Sequence, residues 1–446
     1  MGRKSEIIAA IDIGTSKTTA IIGCRNEQGN LDIIGHATVD SKGVKRGAIL
    51  NLNESVDTIE KVMNKAMTDL EVNVSKVFVG MSCQQIHTEP SKSDMKFDEA
   101  RFIDDEDVRS LLNGCKELSL KEDEEILKVI PQNFVVDTEE EITNPIGIMG
   151  RSVSVDCKLI IGSTLYKSIM DTAFSQAGWP IYKSFITPIS TAKSILSDDE
   201  KEAGVVLVDL GSGSTSVSVY FEGVLKHVAI IPFGGEVVTS DIKEGCNILP
   251  RQAEALKKQY GAALAEFAPE DKVVTIPGIE GWEPKEISFK SLAWIIQSRM
   301  EEIIDSFFYQ VEKLNILDRL GAGIVITGGG SEMMALKQLV KYKTGLDVRL
   351  GSPVLNNVDS KKVKELHKPE YSAVLGIFLS GLEYAKDQEV DIPVRKKVKK
   401  KKNNTSKVSK PKTESKFNAK GSKILEEMKQ TFTLFFTDDN DSEITE

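Results

Sequence analysis

Two short segments carry residue types suited to phosphate chemistry. Ala10-Ile11-Asp12-Ile13-Gly14-Thr15-Ser16-Lys17-Thr18-Thr19 stands near the start, and Val208-Asp209-Leu210-Gly211-Ser212-Gly213-Ser214-Thr215-Ser216 near the middle. Each runs from an apolar strand through an aspartate into a turn of glycine and hydroxyl residues, then into a second β-rich strand. Such a turn has little side chain to block a ligand, so its backbone N–H groups can point inward and form an anion-binding concavity. Two turns, one per domain, would clamp the β- and γ-phosphates of a nucleotide from opposite sides. The contacts would come from Gly14, Thr15, Ser16 and Lys17, and from Gly211, Ser212, Gly213, Ser214 and Thr215. Asp12 and Asp209 end their strands where a carboxylate can hold water on Mg²⁺, an ion that keeps several waters and takes few direct protein ligands.

A third segment, Ile324-Val325-Ile326-Thr327 followed by Gly328, Gly329 and Gly330, is a strand entering a glycine turn at a helix start. There backbone can approach an adenosine face closely. One Asp-x-Gly turn alone is an ordinary turn between strands. Two in the same setting, with this third element, point to ATP and Mg²⁺ as ligands. The chain has no GxxxxGK[ST] segment, so it is not a P-loop protein.

The elements that must position these residues repeat as well. A third strand follows each hairpin (Leu31–Ala37 and Val224–Ile231), and a helix over Asn53–Leu70 follows the first. Two similar meander-plus-helix units mean duplication of a domain, not a solenoid. Between them, residues 82–163 read as an inserted α+β unit with helices at Asp104–Leu118 and Glu122–Val129 and strands at Asn133–Asp137 and Val153–Ile161. Thr239–Leu320 reads as mostly helical, ending in a long helix over Phe289–Leu317. Ser372–Lys386 is the last core helix.

The 446 residues are 40% apolar, enough for two large domains, and the net charge of −10 argues against nucleic acid as a partner. The five cysteines are scattered without a CxxC pair, which fits a reducing compartment. The first residues lack a signal-peptide pattern, and no run of apolar residues is long enough to span a bilayer. The end of the chain differs in kind. Residues 389–421 are basic and poor in apolar residues, and are expected to be a disordered linker. Residues 422–437 regain an apolar stripe of Ile424, Leu425, Met428, Phe432, Phe435 and Phe436 on one helical face, and 438–446 are acidic. A helix over 421–436 would be about 24 Å long, too weakly apolar to span but able to lie in a membrane interface. The polybasic run Arg395–Lys402 would add attraction to anionic lipids.

The three glycine-rich elements, in this order, resemble the actin/Hsp70/sugar-kinase superfamily. The likeness is closer to one member family, the FtsA cell-division proteins. Gly234-Gly235-Glu236-Val237-Val238-Thr239 resembles that family's stretch after the second phosphate turn. Ala253-Glu254-Ala255-Leu256-Lys257 resembles its ribose-contacting helix, which implies adenosine-side roles for Glu254 and Lys257. Phe78–Ser82, Ile130–Phe134 and Asn144–Gly150 bracket a unit like the family's 1C insertion. The implied fold is α/β, a two-lobed actin-like ATPase fold with duplicated β-meander/helix domains. Residues 1–81, 164–200 and 371–388 would form subdomain 1A, 82–163 subdomain 1C, 201–238 and 323–370 subdomain 2A, and 239–322 subdomain 2B.

The resemblance further implies a peripheral protein on the cytoplasmic face of the membrane at the division site. It would polymerise with itself, bind the tubulin-like protein FtsZ, and recruit later division proteins through 1C. A PilM-like pilus-assembly protein of the same fold and a sugar kinase are the alternatives. The former should lack the apolar tail; the latter needs a catalytic acid and a sugar pocket. One position departs from the pattern. Phe185-Ile186-Thr187-Pro188 carries threonine where relatives commonly carry glutamate, and no acid lies between Lys183 and Leu196. At most slow ATP hydrolysis is expected, because Thr187 cannot act as a carboxylate base.

Overall fold

Apolar, β-branched runs next to short glycine turns build two sheets of one design. The computed structural model describes residues 6–26, 29–278, 283–354 and 365–390. β1 (Ile8–Ile13), β2 (Lys17–Arg25) and β3 (Leu31–Asp40) form an antiparallel meander. The small hairpin of β4 (Val44–Lys45) and β5 (Ala48–Ile49) leads into α1 (Leu52–Ala66). Asn51 caps that helix by accepting from the Glu54 N–H, and its buried Ile59, Val62 and Met63 face the sheet core. β6 (Lys76–Met81) then pairs parallel to β1.

The insertion follows: β7 (His87–Phe102), α2 (Asp105–Gly114), β8 (Glu124–Val136), β9 (Glu139–Ile142) and β10 (Met149–Ser163), in sheet order β7-β10-β8-β9. One local expectation is corrected here, and one strand is added. The segment Glu122–Val129 is not a helix: from Glu124 it is strand, with Ile126 opposite Ile161 and Val129 opposite Leu159 in the ladder with β10. Pairing of its apolar residues across the sheet overrides a weak helical pattern. The polar stretch before α2 is a strand of 16 residues. Pro131 sits in β8 beside a register shift, where a missing N–H is tolerated.

After the insertion, α3 (Thr164–Gln176), β11 (Lys183–Ile186), α4 (Thr187–Ile195) and α5 (Asp198–Ala203) complete the first lobe, whose sheet runs β11-β6-β1-β2-β3. The second lobe repeats this plan. β12 (Val205–Leu210), β13 (Thr215–Phe221) and β14 (Val224–Ile231) form its meander. Then come α6 (Gly235–Cys246), α7 (Pro250–Tyr260), the hairpin of β15 (Val273–Ile276) and β16 (Lys285–Ser288), and the long α8 (Phe289–Glu312). β17 (Ile324–Thr327), α9 (Leu336–Thr344) and β18 (Val348–Leu350) close it, in sheet order β14-β13-β12-β17-β18. Strand for strand the two orders match, three antiparallel and then two parallel. The duplication is thus visible in hydrogen-bond topology. Helix α10 (Ser372–Val390) follows.

The core of the first lobe runs on into the second through Leu207, Tyr220 and Val228, and a further core lies within the second lobe. Phe78 and Phe174 are fully buried in the first and Phe307 in the second, and truncating any of them to alanine would cost about 3–5 kcal/mol. The inserted sheet also touches the second lobe. Thr88 Oγ1 donates to Val228 O at 2.9 Å and accepts from the Val228 N–H at 2.9 Å. Gln132, beside the β8 bulge, donates Nε2 to Leu225 O at 2.9 Å. These side chains satisfy the backbone of an outer strand, β14, that would otherwise be an open edge. Among the described residues no helix is long and apolar enough to cross a membrane. Helix α10 takes the first two residues of the expected linker, and the rest of it, the stripe from Ile424 to Phe436 and the acidic tail lie outside the described residues.

Candidate functional site

The two glycine-hydroxyl turns are structural twins. Asp12 lies opposite Thr19 and Asp209 opposite Ser216, each one residue short of its strand's end. Each turn closes with one bond: Gly14 N–H to Lys17 O at 3.0 Å and Gly211 N–H to Ser214 O at 3.0 Å. Their tips face each other closely. A Cβ on Gly213 would lie 2.3 Å from Thr15 Oγ1 and 2.8 Å from Thr15 Cβ, so only glycine fits.

Further bonds brace both turns from behind. Thr15 Oγ1 accepts from the Gly47 N–H at 3.1 Å. The first N–H groups of α6, on Gly235 and Glu236, donate to Gly211 O and Ser212 O at 2.9 and 2.8 Å. Among the described residues no protein acceptor takes the N–H groups of Thr15, Ser16, Ser212 or Gly213. They are left to the space between the lobes, a cleft of about 820 Å³.

That cleft brings together nearly all the residues singled out by type and spacing. Asp12, Gly14, Thr15, Ser16, Lys17, Asp209, Gly211, Ser212, Gly213, Ser214, Glu254, Lys257, Gly328, Gly329 and Gly330 all line it. Thr215 does not. It is fully buried and its Oγ1 donates to Phe233 O at 2.7 Å, which anchors the turn instead. Asp12 and Asp209 share the cleft wall, and burial pushes their carboxyls up to about 6 and about 7, the latter also raised by the charge of Asp12. Two acids held so uncomfortably favour a cation between the lobes. Among the described residues no three His, Cys, Asp or Glu side chains stand together as a direct metal cage. The donor set therefore suits a hydrated Mg²⁺ with few protein ligands. Gly328, at φ +84°, presses against this wall: a Cβ there would meet Asp209 Oδ1 at 2.2 Å.

In α7 of the second lobe, Glu254 and Lys257 are heavily engaged with each other. Lys257 Nζ donates to Gly235 O at 2.8 Å and to Thr239 Oγ1 at 2.7 Å, and pairs with Glu254 at 2.7 Å. Burial lowers the lysine's pKa against the pull of Glu254. Burial alone would raise Glu254, yet the bonds from Lys257 and Thr239 outweigh it and hold its carboxyl below the ordinary range. The pair locks α7 onto the start of α6, a positioning role beside the cleft. Thr187 heads α4, lines the cleft at 4% exposure, and its Oγ1 has no hydrogen-bond partner among the described residues.

Sequence reasoning passed over several wall residues, among them Gly47, Ser82, Tyr260, Phe289 and Glu370. Tyr260 and Phe289 stack with centroids 5.0 Å apart, an apolar platform that only the fold assembles.

Two like-built lobes around one cleft define the class of protein as actin-like. Solved structures share the fold. A PilM–PilN type IV pilus biogenesis complex superposes with a TM-score of 0.59 at 15% identity, covering 85% of this chain and 99% of that one. MreB5 of Spiroplasma citri bound to ADP gives a TM-score of 0.52 at 12% identity, covering 86% and 99%. The family model described as Cell division protein FtsA matches residues 206–376, and that of the SHS2 domain inserted in FTSA matches residues 83–161. Cell division protein FtsA of Bacillus subtilis is 32% identical over 350 residues, 78% of this chain and 79% of the relative. The protein of that name from Escherichia coli K12 is 28% identical over 398 residues, 87% and 94% of the two chains. This chain belongs to the FtsA family of cell division proteins.

Proposed function

We propose that this protein binds Mg·ATP between its lobes, polymerises on the cytoplasmic face of the cell membrane, and tethers the FtsZ ring there. The inserted sheet, subdomain 1C, would receive later division proteins, and subdomain 2B would receive FtsZ. The observation that carries the nucleotide part is the pair of facing turns, with free N–H groups and an aspartate behind each. Two solved structures of this fold, S. citri MreB5 bound to ADP and bound to AMPPNP, support the same reading. Asp12 and Asp209 would orient the metal's water shell, and the turn at Gly328–Gly330 would take the adenosine. Mg²⁺ would supply charge neutralisation for the phosphates. Thr187 offers the attacking water no carboxylate from the start of α4, so the nucleotide would serve conformation more than turnover. That lack also weighs against a sugar kinase.

Sedimentation with anionic liposomes, with and without ATP, tests this function. Full-length protein should pellet, and deletion of 421–446 should release it while leaving ATP affinity unchanged. Phe432→Glu with Phe435→Glu should do nearly the same, since charge on an immersed face opposes insertion. Continued full sedimentation of the truncated protein would remove membrane tethering by the tail from the proposal.

A further inference from the structure

One carboxylate stands where a nucleotide site should least want it. Glu370 lies in the short turn Pro369–Tyr371, in the wall of the cleft, between the glycine turn at Gly329 and the first phosphate turn. Its Oε2 accepts from Lys17 Nζ at 2.8 Å, joining residues 353 positions apart in the chain. The bond raises the lysine's pKa above its ordinary value. The backbone behind Glu370 is fixed. Ser372 Oγ meets Thr327 Oγ1 of the second lobe at 2.6 Å, and Ser372 O accepts from Ser194 Oγ of the first lobe at 2.7 Å. Both side chains reach solvent, Glu370 at 24% exposure and Lys17 at 46%.

We propose that Glu370 is a competitive latch on the phosphate site, holding the Lys17 ammonium until the phosphates of an incoming nucleotide displace it. This rests on the nucleotide reading of the cleft and adds its regulation. A polyphosphate brings several negative charges to the first turn, and Lys17 is the cation among the cleft-lining residues of that turn. The ammonium cannot serve both anions at full strength. Each phosphate-bearing ligand must therefore outbid Glu370 and then tolerate its released charge nearby. A ligand with no phosphate does not compete for the Lys17 ammonium, so the latch grades ligands by charge.

Calorimetric titration of ATP and of adenosine into full-length protein, Glu370→Gln, Lys17→Gln and the double variant tests this. Glu370→Gln should bind ATP about fivefold more tightly, in line with a partly exposed ion pair. The gain should shrink at high salt, and adenosine affinity should not change. In the Lys17→Gln background the gain from Glu370→Gln should fall below about twofold, because the contested cation is gone. Weaker ATP binding by Glu370→Gln, an equal change for adenosine, or a full gain without Lys17 would each overturn the latch. Wild-type protein that takes no ATP at all would overturn the nucleotide reading itself, a separate result from wild-type binding that is indifferent to Glu370.

Discussion

Replacing Asp209 by asparagine should make the ligand-free protein more stable and its complex with Mg·ATP weaker. The carboxyl is lifted from 3.8 to about 7 by burial first and by Asp12 second. Three units correspond to roughly 4 kcal/mol at about 1.36 kcal/mol per unit. The side chain faces an open cleft that water enters, so about half of that, ~2 kcal/mol, is the reasonable cost of keeping it ionised. The sign follows from linkage. A group whose folded pKa is raised supports the fold at low pH and withdraws that support as pH climbs toward about 7. At pH 5 the folded carboxyl is neutral but the unfolded one is already ionised, so about a third of the difference is present and the two melts should lie within about 1 °C. At pH 8 the asparagine variant should melt about 2–3 °C higher, taking an unfolding entropy near ~0.8 kcal/mol/K for a body of this size. Adding Mg·ATP should reverse the order, because the wild type gains a metal-ordering carboxylate that the variant lacks. Thermal melts at the two pH values, with and without nucleotide, read all of this. A variant less stable by the same amount at both pH values would refute the burial argument, and an equal ATP shift in both proteins would refute the metal role.

Gly213→Ala places a methyl group against Thr15 and should drive the two turns apart. ATP affinity should fall about tenfold or more, and titration showing unchanged affinity would mean the turns do not clamp a ligand. Thr187→Glu puts a carboxylate at a cleft position whose hydroxyl has no partner among the described residues. Phosphate release by the wild type should lie far below the ~1–100 per second of kinases and should rise in this variant; a wild-type rate inside that range would sink the assignment.

What could be read from sequence, and what could not, divides on physical grounds. The phosphate turns were legible because aspartate, glycine and hydroxyl residues between β-branched runs have few other uses, and because they occur twice. β7 was passed over because its alternation is written in charges: Lys92, Asp94, Lys96 and Asp98 face out between half-buried Ser91, Ser93, Met95 and Phe97. Period two was there, without the apolar residues that usually announce it. The segment from Glu124 went wrong because a short apolar run fits helix or strand, and only its partner β10 decides. Glu370 had no local signal, since its meaning comes from a lysine at the other end of the chain. Thr215 looked like the other hydroxyls of its turn, and only its bond to Phe233 O sets it apart.

The hold of Thr88 on Val228 has a mechanical side. From Thr88 to Phe102, β7 runs roughly 45 Å at about 3.3 Å per residue. Thr88 is pinned to the second lobe, while Phe102 and its partner Met149 stand 61% and 54% exposed at the far end. The strand is therefore a lever with its fulcrum beside the joint of the two lobes. A tilt of about 5° at that fulcrum would swing the free end by about 4 Å over this length. Whatever docks at that tip feels the angle between the lobes in magnified form, without touching the cleft at all.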